Sequence, residues 1–303
     1  MEEGKVKEVL AANGFKFKKQ FGQNFITDTN LLAAIADGAG VNGDSTVVEI
    51  GCGAGTLTRV LAERAKKVIA FEVDRDLKPV LAVTLAGAEN AEVVFRDFLK
   101  VNMAEFEWEM PPYTVVANLP YYITTPLVMK FIEQSQKCLS LTVMVQEEVA
   151  ERFCAQAGTA DYGAVTANIA LRGVCRIIKR VSRNMFMPRP NVDSAVVRID
   201  IADGNVAVKD AALYKKVVRA AFASRRKTLE NNLMQAFSLK REDVRGVLTA
   251  CGIGAMARGE ELSPEGFARL ADEFYARGFK YFPPLFISAK IFNFTRAPLF
   301  LPK

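Results

Sequence analysis

With 303 residues, half of them hydrophobic and 24% charged, the chain has room for one large or two ordinary domains and a sizeable core. Its net charge of +6 leans modestly towards polyanionic partners, and no window is apolar for long enough to suggest a membrane helix. The absence of histidine excludes Ser-His-Asp and Cys-His chemistry and every histidine-based metal motif, so no metal is expected. Five cysteines (Cys52, Cys138, Cys154, Cys175, Cys251) are odd in number, scattered and without a C-x-x-C pair. Neither a disulfide framework nor a zinc knuckle is expected from them. Met1 to Lys19 carries Glu2 and Glu3 and lacks an apolar run, which does not read as a signal peptide. A cytoplasmic protein is expected.

In chain order, Val6 to Ala12 predicts a short helix ending near Asn13-Gly14. The segment Phe15 to Ile26 then interleaves lysines with phenylalanines, a pattern shared by core-plugging loops and by grips on single-stranded nucleic acid. Thr27 or Asp28 is placed to cap a helix through Leu31, Leu32 and Ile35. The β-branched run Val47, Val48, Ile50 predicts a buried strand that breaks at Gly51, Gly53 and Gly55, after which Leu57, Val60 and Leu61 repeat with helical spacing as far as Lys67. A glycine-rich turn between strand and helix lets a ligand lie against bare backbone. The sixth position of a dinucleotide G-x-G-x-x-G fingerprint is Thr56 here, whereas G-x-G-x-G behind Glu49 resembles methyltransferases that use S-adenosylmethionine. The loop alone leaves a nicotinamide site or an empty tight turn open.

The next predicted strand, Lys67 to Asp74, puts Glu72 at its tip, 21 residues after Gly51, where an acid suits ribose hydroxyls. A helix around Leu77 to Leu85 and a strand from Ala91 to Asp97 follow. Asp97 is placed to accept from an adenine amino group, with Phe98 over the ring, or simply to cap a turn. The strand Tyr113 to Ala117 runs directly into Asn118-Leu119-Pro120-Tyr121, the most specific signal in the chain. The proline stiffens the turn, Asn118 supplies an amide oxygen, and Tyr121 supplies a stacking ring. Ile199 to Asn205 reads as a domain boundary. Leu213–Phe222, Arg226–Phe237, Glu242–Cys251 and Pro264–Phe274 then have helical periodicity. Two stretches are basic and free of acids. One holds Arg172, Arg176, Lys179, Arg180, Arg183 and Arg189; the other runs from Lys215 through Arg219 to Arg225, Arg226 and Lys227.

Taken together, the motifs are similar to those of the ribosomal RNA adenine N6,N6-dimethyltransferases that modify the small subunit. The resemblance rests on Lys19 to Phe25, the Glu49-to-Thr58 loop, Asn118 to Leu127 and Val143 to Arg152. It continues through Phe186 to Val197 and Ala221 to Leu233, and so spans about Phe15 to Phe274. It implies a Rossmann-like class I methyltransferase sheet flanked by helices, with a small C-terminal all-helical domain. The expected divisions are a methyltransferase domain at 1–202, an RNA- or ribosome-contacting helical domain at 203–278, and a tail of unknown role at 279–303. The implied reaction moves methyl groups from S-adenosylmethionine to N6 of two adjacent adenosines near the 3′ end of small-subunit (16S) rRNA.

Carried over residue by residue, Asn24 and Ile26 would touch the cofactor's methionine end, and Gly51 and Gly53 would form its cradle. Glu72 would hold the ribose, Asp97 the adenine, and Asn118 the reacting centre. Asn118, Leu119, Pro120 and Tyr121 with Phe186 would present the target base, and Arg225, Arg226 and Lys227 would bind RNA. Tyr122 departs from the asparagine found in many relatives, and the tail matches nothing in the family. The expected partners are the small ribosomal subunit and its rRNA, with no membrane, and the chain is expected to be a monomer. Two rival readings are a related large-subunit (23S) rRNA methyltransferase and a non-catalytic nucleic-acid-binding factor on the same fold. The Arg225-to-Thr228 motif with Asn231 and Asn232 argues against the first; the complete set of loop, strand-end acids and tetrad argues against the second.

Overall fold

A computed structural model describes residues 3–18, 23–26, 28–202 and 204–279. Lys19 to Gly22 of the basic-aromatic segment, the alternative cap Thr27, Asp203 of the boundary, and the tail beyond Phe279 lie outside the described residues.

The chain opens with α1 (Glu3–Ala12), the two-residue β1 (Phe25–Ile26) and α2 (Thr29–Gly38). Asp28 caps α2, accepting from the Leu31 N–H at 2.7 Å. Strands and helices then alternate as β2 (Thr46–Ile50), α3 (Thr56–Ala62), β3 (Lys67–Glu72), α4 (Lys78–Thr84), β4 (Ala91–Phe95) and α5 (Met103–Glu107). They continue as β5 (Tyr113–Asn118), α6 (Tyr121–Gln134) and β6 (Cys138–Gln146). After α7 (Glu147–Phe153) and α8 (Ala164–Ala170) come β7 (Gly173–Val181), the short β8 (Phe186–Met187) and β9 (Ser194–Ile201). Four helices close the described chain: α9 (Ala211–Ala221), α10 (Leu229–Phe237), α11 (Arg241–Ala250) and α12 (Pro264–Ala276).

Seven strands form one sheet in the order β4-β3-β2-β5-β6-β9-β7. The first five are mutually parallel, and β9 runs antiparallel between β6 and β7. Parallel strands are covered on both faces, which is why β2 is buried along its whole length. Val48 and Ile50 pack with Phe71, Val115 and Phe131 of α6 on one face. Val47 packs with Leu31 and Ile35 of α2 and Leu61 of α3 on the other. Each such side chain, fully buried, contributes about 1.5–3 kcal/mol. This is the helix-flanked sheet with a C-terminal helical region that the sequence implies.

Chain order in the sheet reverses between β2 and β5. In open α/β sheets the crevice outside the carboxyl ends of the strands at such a reversal is where ligands bind. The glycine loop, Glu72, Asp97 and the Asn118 tetrad all follow strands at that edge.

In the helical region, Leu213, Val217 and Val218 of α9 pack against Phe267, Leu270 and Phe274 of α12. The same core draws in Tyr162, Ala167 and Leu171 from in and around α8, and the Tyr214 hydroxyl donates to the Ala167 carbonyl at 2.9 Å. Two helix limits differ from the sequence expectation. The helix after the glycine loop stops at Ala62 rather than continuing to Lys67, which already belongs to β3. Arg226 is not helical either. The segment from Phe222 to Thr228 is a turn, held by the Asn232 amide donating to the Ala221 and Ser224 carbonyls at 2.9 and 3.0 Å, and Thr228 caps α10.

Candidate active site

The cradle is set by backbone geometry. Gly51, Gly53 and Gly55 have φ of 76°, 55° and 80°, the left-handed region that side chains disfavour. Space is equally restrictive at Gly53, where a Cβ would lie 2.8 Å from the Phe25 ring. Phe25 comes from the N-terminal arm, whose Phe15, Phe17 and Phe25 rings cluster at 5.3–6.1 Å between centroids. The basic-aromatic segment thus uses these rings for packing. Its Lys18 and Gln23 side chains donate to Asp74 at 2.6 and 2.9 Å, fastening the arm to the end of β3. Burial works to raise the Asp74 pKa, but those two hydrogen bonds, with the Asp76 N–H and the Lys18 charge, outweigh it and leave the group below the ordinary carboxyl value.

Three acids face the crevice in different states. Glu72, 7% exposed, accepts from the Gly53 N–H at 2.8 Å through one oxygen. Through the other it accepts from the Val73 and Asp74 N–H groups at 2.7 and 2.8 Å. Burial raises its pKa, and the backbone donors oppose the shift. Asp97 accepts from the Leu99 N–H at 3.0 Å and lies 3.5 Å from the Lys100 ammonium, so it caps a turn and lines the crevice at once. Glu49 is 1% exposed, and its Oε2 has no hydrogen-bond partner among the described residues. Burial, reinforced by the charge of Glu72, pushes its pKa up to about 8. The buried Cys52 thiol is pushed well above its usual value for the same reasons, which makes it a poor nucleophile.

At the end of β5 the Asn118 amide nitrogen donates to the Asn24 carbonyl at 3.1 Å. That bond fixes which way the amide points, leaving Oδ1 as its free acceptor face. Pro120 precedes the first residue of α6, Tyr121, whose hydroxyl is 2.8 Å from the Ser194 hydroxyl. Phe186, 6% exposed, is held by the β1–β8 ladder opposite Ile26. Phe98 is 2% exposed and stacks on Phe131, so it forms wall rather than an open lid.

A cavity of about 460 Å³ brings these groups together. Asn24, Ile26, Gly51, Gly53, Glu72 and Asp97 all line it. So do Asn118, Leu119, Pro120, Tyr121 and Phe186, together with Tyr122, which is 65% exposed. Glu49 also lines it; in the sequence it serves only to mark the loop, although an acid within an otherwise apolar strand is itself an unusual signal. Gln23, within the Lys19-to-Phe25 motif, and Arg96, with no sequence motif to mark it, line it too.

Arg225, Arg226 and Lys227 lie outside the cavity, on the turn before α10. Arg225 donates to the Ala160 and Tyr162 carbonyls at 3.3 and 3.2 Å, clasping that turn to the loop before α8. Lys227 reaches the Gln235 amide oxygen at 3.2 Å, and Arg226 is exposed. The first basic stretch is largely neutralised from within. Arg176 pairs with Asp200, Arg180 with Glu147 and Glu151, and Arg183 with Asp193, while Arg172 donates to the Ile132 and Ser135 carbonyls.

The family model described as ribosomal RNA adenine dimethylase matches residues 14–275. The chain is 46% identical over 277 residues to the Ribosomal RNA small subunit methyltransferase A of Geobacillus thermodenitrificans, covering 89% of this chain and 94% of that one. Identity to the protein of the same name from Streptococcus pneumoniae is 45% over 281 residues, covering 90% and 97%. Among solved structures, a dimethyladenosine transferase from Plasmodium falciparum is similar with a TM-score of 0.70 and 25% identity, over 84% of this chain and 98% of that one. The 23S rRNA methyltransferase ErmE is similar with a TM-score of 0.64 and 30% identity, over 82% and 98%.

Proposed function

The chain belongs to the ribosomal RNA adenine dimethylase family, and on that premise we propose that it dimethylates N6 of two adjacent adenosines near the 3′ end of 16S rRNA. The methyl donor in this reading is S-adenosylmethionine, and the work belongs to small-subunit biogenesis in the cytoplasm. The observation that carries the proposal is the cavity itself. One continuous space joins a glycine cradle, strand-end acids and an oriented asparagine, so a cofactor and an extruded base can meet in it.

The residues present fit the cofactor. Glycines with positive φ leave bare backbone, Glu72 sits at the strand tip, and the orphaned oxygen of the Glu49 carboxyl offers a hydrogen-bonding group. When bound, S-adenosylmethionine supplies an already electrophilic methyl group, so the protein needs no strong base. The protein's task is the nucleophile. An adenine amine is weak because its lone pair is delocalised into the ring. Asn118 Oδ1 and the Leu119 carbonyl are acceptors for the two amine hydrogens, favouring a pyramidal nitrogen directed into the cavity. Tyr121 and Phe186 hold the unstacked base, each stacked ring contributing ~1–3 kcal/mol. Phe25 and Leu119, packed against the cradle, exclude water beside it. The proton leaves after transfer, when the nitrogen has become acidic.

The small-subunit names of the bacterial relatives support the choice of subunit, and the helical region with Arg226 and Lys227 is the proposed contact with rRNA. The test incubates the protein and labelled S-adenosylmethionine with undermethylated small subunits and, separately, with large subunits, then maps products by primer extension. Label in small subunits with stops at two adjacent adenosines is expected. Label confined to large subunits would replace this reading with the 23S one, and no label in either would leave a binding factor.

A further inference from the structure

Tyr121 is anchored at two ends. Its Cα starts α6 directly behind Pro120, and its hydroxyl meets Ser194 at 2.8 Å. Ser194 is fully buried and opens β9, where it pairs with Gln146 of β6 on one side and Val181 of β7 on the other. A residue held in two ladders cannot shift without disturbing both, so the Ser194 hydroxyl is a fixed point in the sheet. Burial raises the Tyr121 pKa, opposed by the Ser194 hydrogen bond and helped by the charge of neighbouring Asp193, so the phenol stays neutral and either hydroxyl can donate in this bond. The hydroxyl contributes nothing to stacking area. A phenylalanine would offer the same face to a base, without the tether.

We propose that Ser194 is a positioning residue for the target base: through the Tyr121 hydroxyl it fixes the plane on which the adenine stacks, and thereby favours the second methyl transfer. The proposal rests on the reaction assigned above. The second transfer presents the same nitrogen with a methyl group already attached, so fewer ring orientations leave its lone pair directed into the cavity. Misplacement of a reacting group by about 1 Å costs on the order of 10²-fold in rate, so loss of the tether falls mainly on this more crowded step.

The test compares Ser194→Ala, Tyr121→Phe, the double variant and Ser194→Thr on undermethylated small subunits. It measures kcat, KM for subunits, and the ratio of mono- to dimethyladenosine. Ser194→Ala and Tyr121→Phe are expected to lower kcat for the second methyl by roughly ten- to a hundredfold. Monomethyladenosine should accumulate, with KM within about twofold of wild type because the stacking face remains. The double variant should match either single one, and Ser194→Thr, which keeps a hydroxyl, should restore the product ratio. Multiplicative losses in the double variant, or an unchanged product ratio in Tyr121→Phe, would overturn the proposal. Tyr121→Phe keeps the test decisive where Ser194→Ala disturbs the buried strand, which a thermal melt reveals. A wild-type protein that makes no dimethyladenosine at all would refute the assigned reaction instead.

Discussion

Replacing Glu49 with glutamine removes a carboxyl group from the least hydrated position of the cavity while keeping its shape. An ordinary glutamate carboxyl titrates near 4.5, and burial raises this one to about 8. Between those values the folded protein retains a proton that the unfolded chain has released. Folding is therefore favoured least at the alkaline end, and the stability present below pH 4.5 is lost progressively up to about pH 8. At about 1.4 kcal/mol per pH unit the whole window is worth at most roughly 5 kcal/mol. Local rearrangement and water entry reduce that by about half, to a figure on the order of 2–3 kcal/mol. Glutamine cannot ionise, so Glu49→Gln should equal wild type near about pH 5 and exceed it by that amount near about pH 8.5. Urea unfolding of both proteins across the window measures the difference, and every other titrating group except neighbouring Glu72 largely cancels between them. A difference that stays flat from about pH 5 to about pH 8.5 would refute the claim that Glu49 is held protonated by its surroundings.

The other expectations concern the site, the basic turn before α10 and one pair of thiols. Asn118→Ala should leave cofactor affinity within a few fold of wild type but lower the single-turnover methylation rate by about 10²-fold or more, since an oriented acceptor is removed; rates near wild type would take Asn118 out of the reacting centre. Glu72→Ala should weaken cofactor binding measured by calorimetry, at roughly 1.5–3 kcal/mol for each charged hydrogen bond removed; unchanged affinity would take Glu72 out of the ribose role. Arg226→Glu with Lys227→Glu should flatten the salt dependence of subunit binding, the slope falling by about 0.7–0.9 for each phosphate no longer neutralised. Arg225→Glu should instead lower the melting temperature, because its guanidinium spans two carbonyls of the Ala160–Tyr162 loop. Superimposable salt slopes would make the turn an ordinary solvated surface. Cys154 and Cys175 lie with sulfurs 2.9 Å apart, so dilute hydrogen peroxide should link them, each peroxide consuming two thiols and leaving two waters. A peptide map under non-reducing conditions that finds both thiols free would refute this.

Much of the site is legible in the sequence because its residues are forced by local geometry. A strand that must turn sharply into a helix needs glycines, and the ends of parallel strands fall at one edge, so Gly51, Glu72, Asp97 and Asn118 can be aligned by spacing alone. Charge is less legible. The acid-free stretch from Arg172 to Arg189 resembles a nucleic-acid surface because most of its counterions are remote in sequence. Antiparallel pairing of β7 with β9 brings Asp200 to Arg176, and α7 brings Glu147 and Glu151 to Arg180. The turn at Phe222 to Thr228 is longer than the sequence suggests, because helical spacing already resumes at Arg226. The cue to it is Thr228, an N-cap residue whose side chain accepts from the Asn231 N–H. The closeness of Cys154 and Cys175 is a tertiary fact that no spacing rule reveals.

The N-terminal arm joins the two halves of the site. Within three consecutive residues, Asn24 accepts from the Asn118 amide, Phe25 packs on Gly53, and Ile26 accepts from the Thr56 hydroxyl at 2.9 Å while pairing with Phe186. The same three residues therefore touch the glycine loop, Asn118 and Phe186. Lys18 and Gln23 fasten it to Asp74, which follows Glu72 by two residues and donates its N–H to that carboxylate. A shift of the arm cannot alter the glycine loop without also turning the Asn118 amide or displacing Phe186. Order at the glycine loop and order at Asn118 and Phe186 are in this way set by one piece of backbone, although the residues concerned lie far apart in the sequence.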